Sequence, residues 1–415
     1  MTASAPQTGT RVPPPAAAPD PAEDRAAGPL QAVLLMVGSC LPILGAVLIA
    51  PVLPRMQDHF ENVSGADALV PMALTIPALS LAILAPFAGT VADRFGRKQL
   101  LIGATLVYAV FGTAPLWLDS LGAIVASRAL VGVAEAAIMT CCTTLIGDYY
   151  SGAARDRYLA LQTMCSAVSA TLFFALGGAL GSGGWRAPFW AYGVSLLIAP
   201  LMAHALRRPP QAADQSDASD PAAGERAPFP WRRLAWPCVL TFFGAGVFYT
   251  VPVEMSYLLD DLNVTATSAI GLATAIASAS TVAGAVTFSR LAAGRPEKLL
   301  PGVFGLCAVG FGIMAFAGNT PLLVIGAVVN CFGTGMLLPT LLTRTMALLK
   351  FADRGRGTGM WNSAFFLGEF LCPLVLLGAK AGIGSLAHAV GVLGAVTAVV
   401  ALGMQLRRGR TAQSA

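Results

Sequence analysis

Long apolar runs separated by short polar turns recur along the whole chain. Within a run the hydrophobic positions are continuous rather than alternating, over about 20 residues, which is enough for an α-helix to cross a bilayer. A closed β-barrel, the other backbone that spans lipid, would alternate apolar and polar positions. The pattern predicts twelve helices, near 30–53, 66–92, 97–117, 121–147, 158–182, 187–206, 236–258, 266–291, 299–317, 320–348, 357–379 and 384–406. The expected fold class is therefore an all-α membrane protein with twelve transmembrane helices. The polar stretches set the expected domain limits. Residues 1–29, rich in Pro and Ala and without an apolar core ahead of a cleavage site, read as a disordered cytoplasmic tail. Residues 30–206 and 236–406 read as two six-helix domains, 207–235 as a cytoplasmic linker and 407–415 as a cytoplasmic tail.

Composition sharpens this. The chain is 56% hydrophobic and 11% charged, against about 25% charged in an average soluble domain. Of its 26 Lys and Arg, Arg55, Arg186 and Lys380 fall in turns on one side and Arg128 lies inside a helix; the other 22 lie on the opposite side. The positive-inside bias makes that basic side cytoplasmic and places both termini there. The far turns lean acidic, with Asp58, Glu61, Asp67, Asp119, Asp260 and Asp261. Bases confined to short turns argue for lipid headgroups, not nucleic acid, as their surroundings. The eight cysteines all fall in predicted helices without metal-ligand spacing and read as free thiols.

Two halves are visible as a weak repeat. Asn62-Val63-Ser64 is echoed by Asn263-Val264-Thr265, and Pro51 by Pro252, both at an offset of 201. Gly96-Arg97 is echoed by Gly294-Arg295 at 198, and Arg155-x-Arg157 by Arg354-x-Arg356 at 199. Ser64 and Thr265 are expected to start the next helix as N-caps. Between the second and third helices stands Gly89-Thr90-Val91-Ala92-Asp93-Arg94-Phe95-Gly96-Arg97-Lys98. Its glycines, acid and bases resemble the signature loop of the major facilitator superfamily of transporters, with Val91 where the pattern usually has Leu. The second-half copy has Leu291 in place of Asp93.

The resemblance implies two pseudo-symmetric six-helix bundles around a central cavity. It assigns Gly89, Asp93, Arg94, Gly96, Arg97 and Lys98 to a cytoplasmic gate. Asp93 would cap the positive end of the eleventh helix, and Arg94 or Arg97 would pair with Asp148 or Asp156 when the cytoplasmic side is closed. Gly-Trp-Arg-x-Pro-Phe at 184–189 is similar to the family's turn into the sixth helix. Phe173 and Phe174 stand where drug antiporters of the family would have Gly-Pro, so that subgroup's motif is incomplete.

Charges inside membrane helices cost about 2.5–3.5 kcal/mol on insertion scales, so each needs a reason. Arg128, Gly132 and Glu135 share one face of the fourth helix. Arg128-x-x-x-Gly132 resembles a fourth-helix motif of proton-coupled exporters, and Glu135 is the expected proton carrier beside it; an ion pair that only holds the bundle together is the alternative. Asn362, Phe366 and Glu369 share a face of the eleventh helix and are expected to line the cavity, with Glu369 a second proton candidate or a protonated residue bonded to a carbonyl. Asn330 and Phe248, with Phe242, Phe243 and Tyr249, are further cavity candidates or packing residues. Glu254 reads as an outer gate or a solvated helix end.

No nucleotide-binding loop and no catalytic constellation is present in the sequence, so an enzyme is not expected. The expectation is a secondary transporter working by alternating access: a monomer in the bacterial inner membrane, without a cofactor, that exports a small, partly apolar molecule (a drug, metabolite or siderophore-like compound) in exchange for protons. Nutrient uptake by symport or uniport is the alternative reading, and a membrane receptor or scaffold is a third.

Overall fold

The computed structural model describes residues 28–207, 231–291, 298–350 and 353–413. The expected N-terminal tail, most of the linker and the Gly294-Arg295 repeat lie outside the described residues. Among the described residues all regular structure is helical. Eleven helices are long and apolar enough to cross a membrane: α1 (Pro29–His59), α2 (Ala66–Leu84), α3 (Arg97–Leu116), α4 (Leu121–Tyr149), α5 (Gly152–Gly181), α6 (Ala187–Ala205), α7 (Trp231–Asp261) and α8 (Thr267–Leu291), then α10 (Thr320–Ala347), α11 (Gly355–Ile383) and α12 (Leu386–Leu406). Between α8 and α10 lies α9 (Leu300–Ala315), which is shorter.

Helix ends depart from the hydropathy reading in two ways. α2 stops at Leu84, and Ala88–Phe95 forms a separate short helix with Pro86 between them. Proline donates no backbone hydrogen bond and its ring clashes with the preceding turn, which breaks the single helix expected over 66–92. Conversely, α5 and α7 begin several residues before their apolar runs, α7 taking in the end of the expected linker, and the last helix continues to Gln413 through the expected tail. Hydropathy marks depth in lipid, whereas backbone hydrogen bonding carries on into water.

The helices pack with a two-fold plan. In the first half α1 packs on α4 and α5, α4 on α2 and α3, and α3 on α6; in the second half α7 packs on α10 and α11, α10 on α8 and α9, and α9 on α12. Each pairing recurs six helices later, which is the pseudo-symmetry of two six-helix bundles. The halves meet through α2 with α11 and α5 with α8, again symmetry mates.

The α5–α8 contact is tightest toward the acidic end. A Cβ on Gly178 would lie 2.8 Å from Gly271 Cα and 2.5 Å from the Thr267 carbonyl oxygen. Further along, Thr171 Oγ1 is 3.2 Å from Ser278 Oγ. The acidic-end part of α1 also packs on α7 and α8. Toward the arginine-rich end, residues 152–157 of α5 and 289–291 of α8 are exposed. The two halves are thus packed together at the acidic end, whereas at the other the ends of α5 and α8 are exposed and Gly359 of α11 lies against Pro86.

The repeated Asn-Val-Ser/Thr turns work differently from the capping expected of them. α2 starts from Gly65 at φ 80°, with no side-chain cap. In the second half Asn263 holds the left-handed conformation, at φ 63°. A residue that tolerates positive φ, not a hydroxyl cap, reverses the chain. Nearby, Arg186 bonds Asp119 at 2.7 Å and the Leu118 carbonyl at 3.1 Å, tying the α5–α6 turn to the α3–α4 turn.

Candidate functional site

The signature turn is held together by its own half. Arg97 bonds Asp93 at 2.8 Å and also Asp148 at the end of α4. Lys98 donates to the carbonyls of Ala203 at 2.8 Å and Leu206 at 2.5 Å, closing the last turn of α6. Gly96, at φ 82°, makes the reversal, while nothing within 4 Å would obstruct a Cβ on Gly89. Asp93 does not cap the eleventh helix: among the described residues its carboxylate is taken by Arg97, one turn away. All these contacts lie within the first bundle. They clamp the α2–α3 hairpin to α4 and α6, and the Arg97–Asp148 pair is one of those expected from the sequence.

The charge inside the membrane is organised around one point on α1. Arg128 is fully buried. Its Nε donates to the Ala73 carbonyl at 3.1 Å, one terminal nitrogen to the Gly45 carbonyl at 2.7 Å and the other to the Tyr192 hydroxyl at 2.7 Å. The guanidinium also lies 5.1 Å from the Tyr192 ring centroid. Glu135, two turns further along α4, is not its ion-pair partner within 4 Å among the described residues. Its carboxylate lies against Gly45, where a side chain would collide with it. Glu135 is 1% exposed, and its Oε1 has no hydrogen-bond partner among the described residues. The close α2–α4 contact beneath this site needs Gly132, because a Cβ there would run into the Pro77 backbone.

The next residue of α1 reaches the other half. The Ala46 carbonyl accepts a 2.6 Å hydrogen bond from the Tyr249 hydroxyl of α7. Tyr249 lies in the fields of both Glu135 and Glu369, and Glu369 lies in that of Glu135. The structure therefore brings Glu135, Arg128 and Glu369 into one electrostatic neighbourhood, with the Gly45-Ala46 backbone between them. Glu369 is 6% exposed and shows no hydrogen bond among the described residues. Neither acid faces lipid.

Around Glu369 stand the aromatic side chains. Phe365 stacks on Trp361 at 5.4 Å with the rings 4° from parallel, meets Phe366 edge-on at 5.3 Å and lies 6.0 Å from Phe248 of α7. Phe248, Asn362, Phe365 and Phe366 are half-buried. Trp361 and Phe365 escaped the sequence reading, although their spacing of 8 and 4 residues before Glu369 was available as a signal. Tyr192 and Gly45 gave none, because the one is 64 residues from Arg128 in the chain and the other supplies only room for the Glu135 carboxylate.

Two sequence expectations are corrected. Asn330 does not line the space between the halves. It is fully buried against α9, with its amide donating to the Cys307 carbonyl at 3.2 Å and Gly310 packed under it. Asn330→Ala should lower thermal stability by about 1–3 kcal/mol, as expected for a lost buried hydrogen bond, and leave substrate affinity within about twofold; a thermal melt and a binding titration on the same sample check this. Glu254 is not a solvated helix end either. It is 5% exposed, with the charge of Lys380 nearby and the half-buried Tyr257 one turn away. A separate concavity between α9 and α12 is lined by small residues such as Gly305, Gly312, Gly391 and Gly394. It lies away from every buried charge and suits lipid chains rather than chemistry.

Comparison with known proteins places this architecture. The family model of the Major Facilitator Superfamily matches residues 35–295 and 237–414. The class C tetracycline resistance protein of Escherichia coli is 31% identical over 169 residues, 39% of this chain and 41% of that protein. The sphingosine-1-phosphate transporter SPNS2 of Xenopus tropicalis is 31% identical over 170 residues, 40% of this chain and 32% of that one. The chain thus spans less than half the length of these curated relatives. A D-xylose-proton symporter superposes with a TM-score of 0.73 at 15% identity, covering 90% of this chain and 96% of that one. A bacterial homologue of the human lysosomal transporter Spinster, inward-facing and occupied, gives 0.73 at 17% identity over 92% and 96%. At these identities the likeness is one of fold.

Proposed function

The chain belongs to the major facilitator superfamily of membrane transporters, and from that premise we propose that it exports a small, partly apolar compound in exchange for protons. The observation that carries this reading is the pair of desolvated carboxylates, Glu135 in one half and Glu369 in the other, neither held by a base among the described residues. A carboxylate in such a place is stable only when neutralised, and a proton is the smallest way to do it. Arg128 does not do it: its hydrogen bonds go to Ala73, Gly45 and Tyr192, and no carboxylate among the described residues lies within ion-pair distance of it. The Gly45-Ala46 segment, in contact with Glu135 and bonded by Tyr249, links that site to the second half.

Alternating access supplies the second requirement. The halves are packed together at the acidic end, and the exposed ends of α5 and α8 at the arginine-rich end fit an opening there. With the arginine-rich end in the cytoplasm, as the positive-inside bias assigns it, this is an inward-facing conformation, and both termini are cytoplasmic. The chain then works as a monomer in a bacterial inner membrane, driven by the proton gradient and without a cofactor.

Tetracycline resistance and efflux-pump relatives favour export. Uptake by symport is the competing reading, favoured by the fold shared with a D-xylose-proton symporter. Everted membrane vesicles separate the two. Export predicts that acidifying the lumen drives uptake of the compound into everted vesicles and that a protonophore collapses it. Accumulation only in right-side-out vesicles, with protons entering alongside, would replace export by uptake.

A further inference from the structure

The surroundings of Glu369 have a chemical bias that the transport reading leaves open. We infer that Glu369, Phe365, Phe366 and Phe248 form a binding site for an organic cation with a bulky apolar or aromatic body. The inference rests on the transport reading only in taking the space between the halves as the substrate's path.

Charge is the first argument. Among the described residues no base lies within ion-pair distance of Glu369, and the titratable group whose charge bears on it is Glu135, another acid. Arg128 is the one base among them buried in the helices of the first half, and each of its nitrogens donates within that half, to Ala73, Gly45 and Tyr192. An anionic substrate at this place would meet the Glu369 carboxyl with no base beside it. A cation would supply the missing counter-charge, and a desolvated pair of this kind is far stronger than one in water.

Shape is the second argument. Phe365 and Phe366 precede Glu369 by one helical turn, so the three side chains lie on adjoining rows of α11. Phe248 closes the other side from α7, 6.0 Å from Phe365. Trp361, stacked behind Phe365, fixes that ring's orientation. The rings lie on the arginine-rich side of Glu369, where the ends of α5 and α8 are exposed. A ligand entering there meets aromatic faces before it meets the carboxylate. Ring faces attract cations by about 0.5–1 kcal/mol when exposed and about 2 kcal/mol or more when desolvated. A metal ion is a poor fit: no group of three or more His, Cys, Asp or Glu able to hold one occurs among the described residues.

The test uses two ions of nearly the same size and shape and opposite charge, tetraphenylphosphonium and tetraphenylborate. Binding to the full-length protein in nanodiscs is measured by equilibrium dialysis, after subtraction of binding to empty nanodiscs. The phosphonium should bind roughly tenfold tighter than the borate. Glu369→Gln should weaken the phosphonium roughly tenfold and remove the preference between the two ions. Phe365→Leu should weaken both ions, because it removes the ring and leaves the charge. Should Phe365→Leu fail to fold, Phe366→Leu takes its place. Equal binding of the two ions by the wild type, or phosphonium binding unchanged in Glu369→Gln, overturns the site. The assay needs no pH gradient, so phosphonium binding without any proton-driven flux would leave this site standing and remove the exchange mechanism instead.

Discussion

Glu135→Gln should abolish accumulation driven by a pH gradient while sparing exchange of substrate down its own gradient. Gln is close to Glu in shape, so it fits the niche against Gly45, but it is neutral at every pH. The variant is a permanent mimic of the protonated carrier. A proteoliposome with an imposed pH gradient should show gradient-driven accumulation reduced roughly tenfold or more. Counterflow in the same vesicles, which needs only the rocking of the two halves, should persist. The variant should also melt at a higher temperature, since an uncompensated buried carboxylate costs more than a neutral amide. Gradient-driven accumulation equal to wild type would remove Glu135 from the proton path. Glu369→Gln distinguishes the roles of the two acids: if it loses binding of the cationic probe as well as coupling, proton and substrate share that site.

A second large effect is expected from Gly178→Val, through geometry rather than charge. Closing the acidic end brings the Gly178 and Gly271 backbones together, and a side chain there would meet Thr267 and Gly271 directly. The neighbours are backbone, so they cannot step aside by changing rotamer. The clash exists only while the acidic end is shut. Overpacking of about 1–3 kcal/mol should shift the equilibrium by roughly five- to 150-fold toward the conformation open at that end. Transport should fall with it, because the cycle must pass through the closed arrangement. A cysteine placed at Phe248 should become more reactive toward an impermeant maleimide applied from the acidic side. Gly103, where an added Cβ would meet nothing within 4 Å, is the matched control, and Gly103→Val should change neither readout. Unchanged labelling and flux in Gly178→Val would mean that the α5–α8 crossing is not a moving contact.

The helices and their two-fold plan were legible in the sequence because bilayer thickness dictates the length of an apolar run. Their ends were less so. The early start of α5 at Gly152 and the break at Pro86 follow hydrogen-bonding geometry, to which hydropathy is blind. The acids were legible as charges in apolar surroundings, and Arg128 with them. Their partners were not, because the Arg128 acceptors include the carbonyls of Ala73 and Gly45, which every residue type possesses. The same blindness explains Asn330. A helical wheel marks it as polar, but only the packing of α9 shows that its amide is spent on Cys307. The role expected of Asp93 depended on a neighbour from the other half; in this conformation the nearer Arg97 takes it.

The manner in which Arg128 is anchored bears on how such a carrier changes its cargo. Two of its three hydrogen bonds end on main-chain oxygens, and the third on a tyrosine in the interior of the first bundle. Substitutions elsewhere in the walls leave those oxygens where they are. The surroundings of Phe248, Phe365 and Phe366 can therefore change over generations without disturbing the anchorage of Arg128.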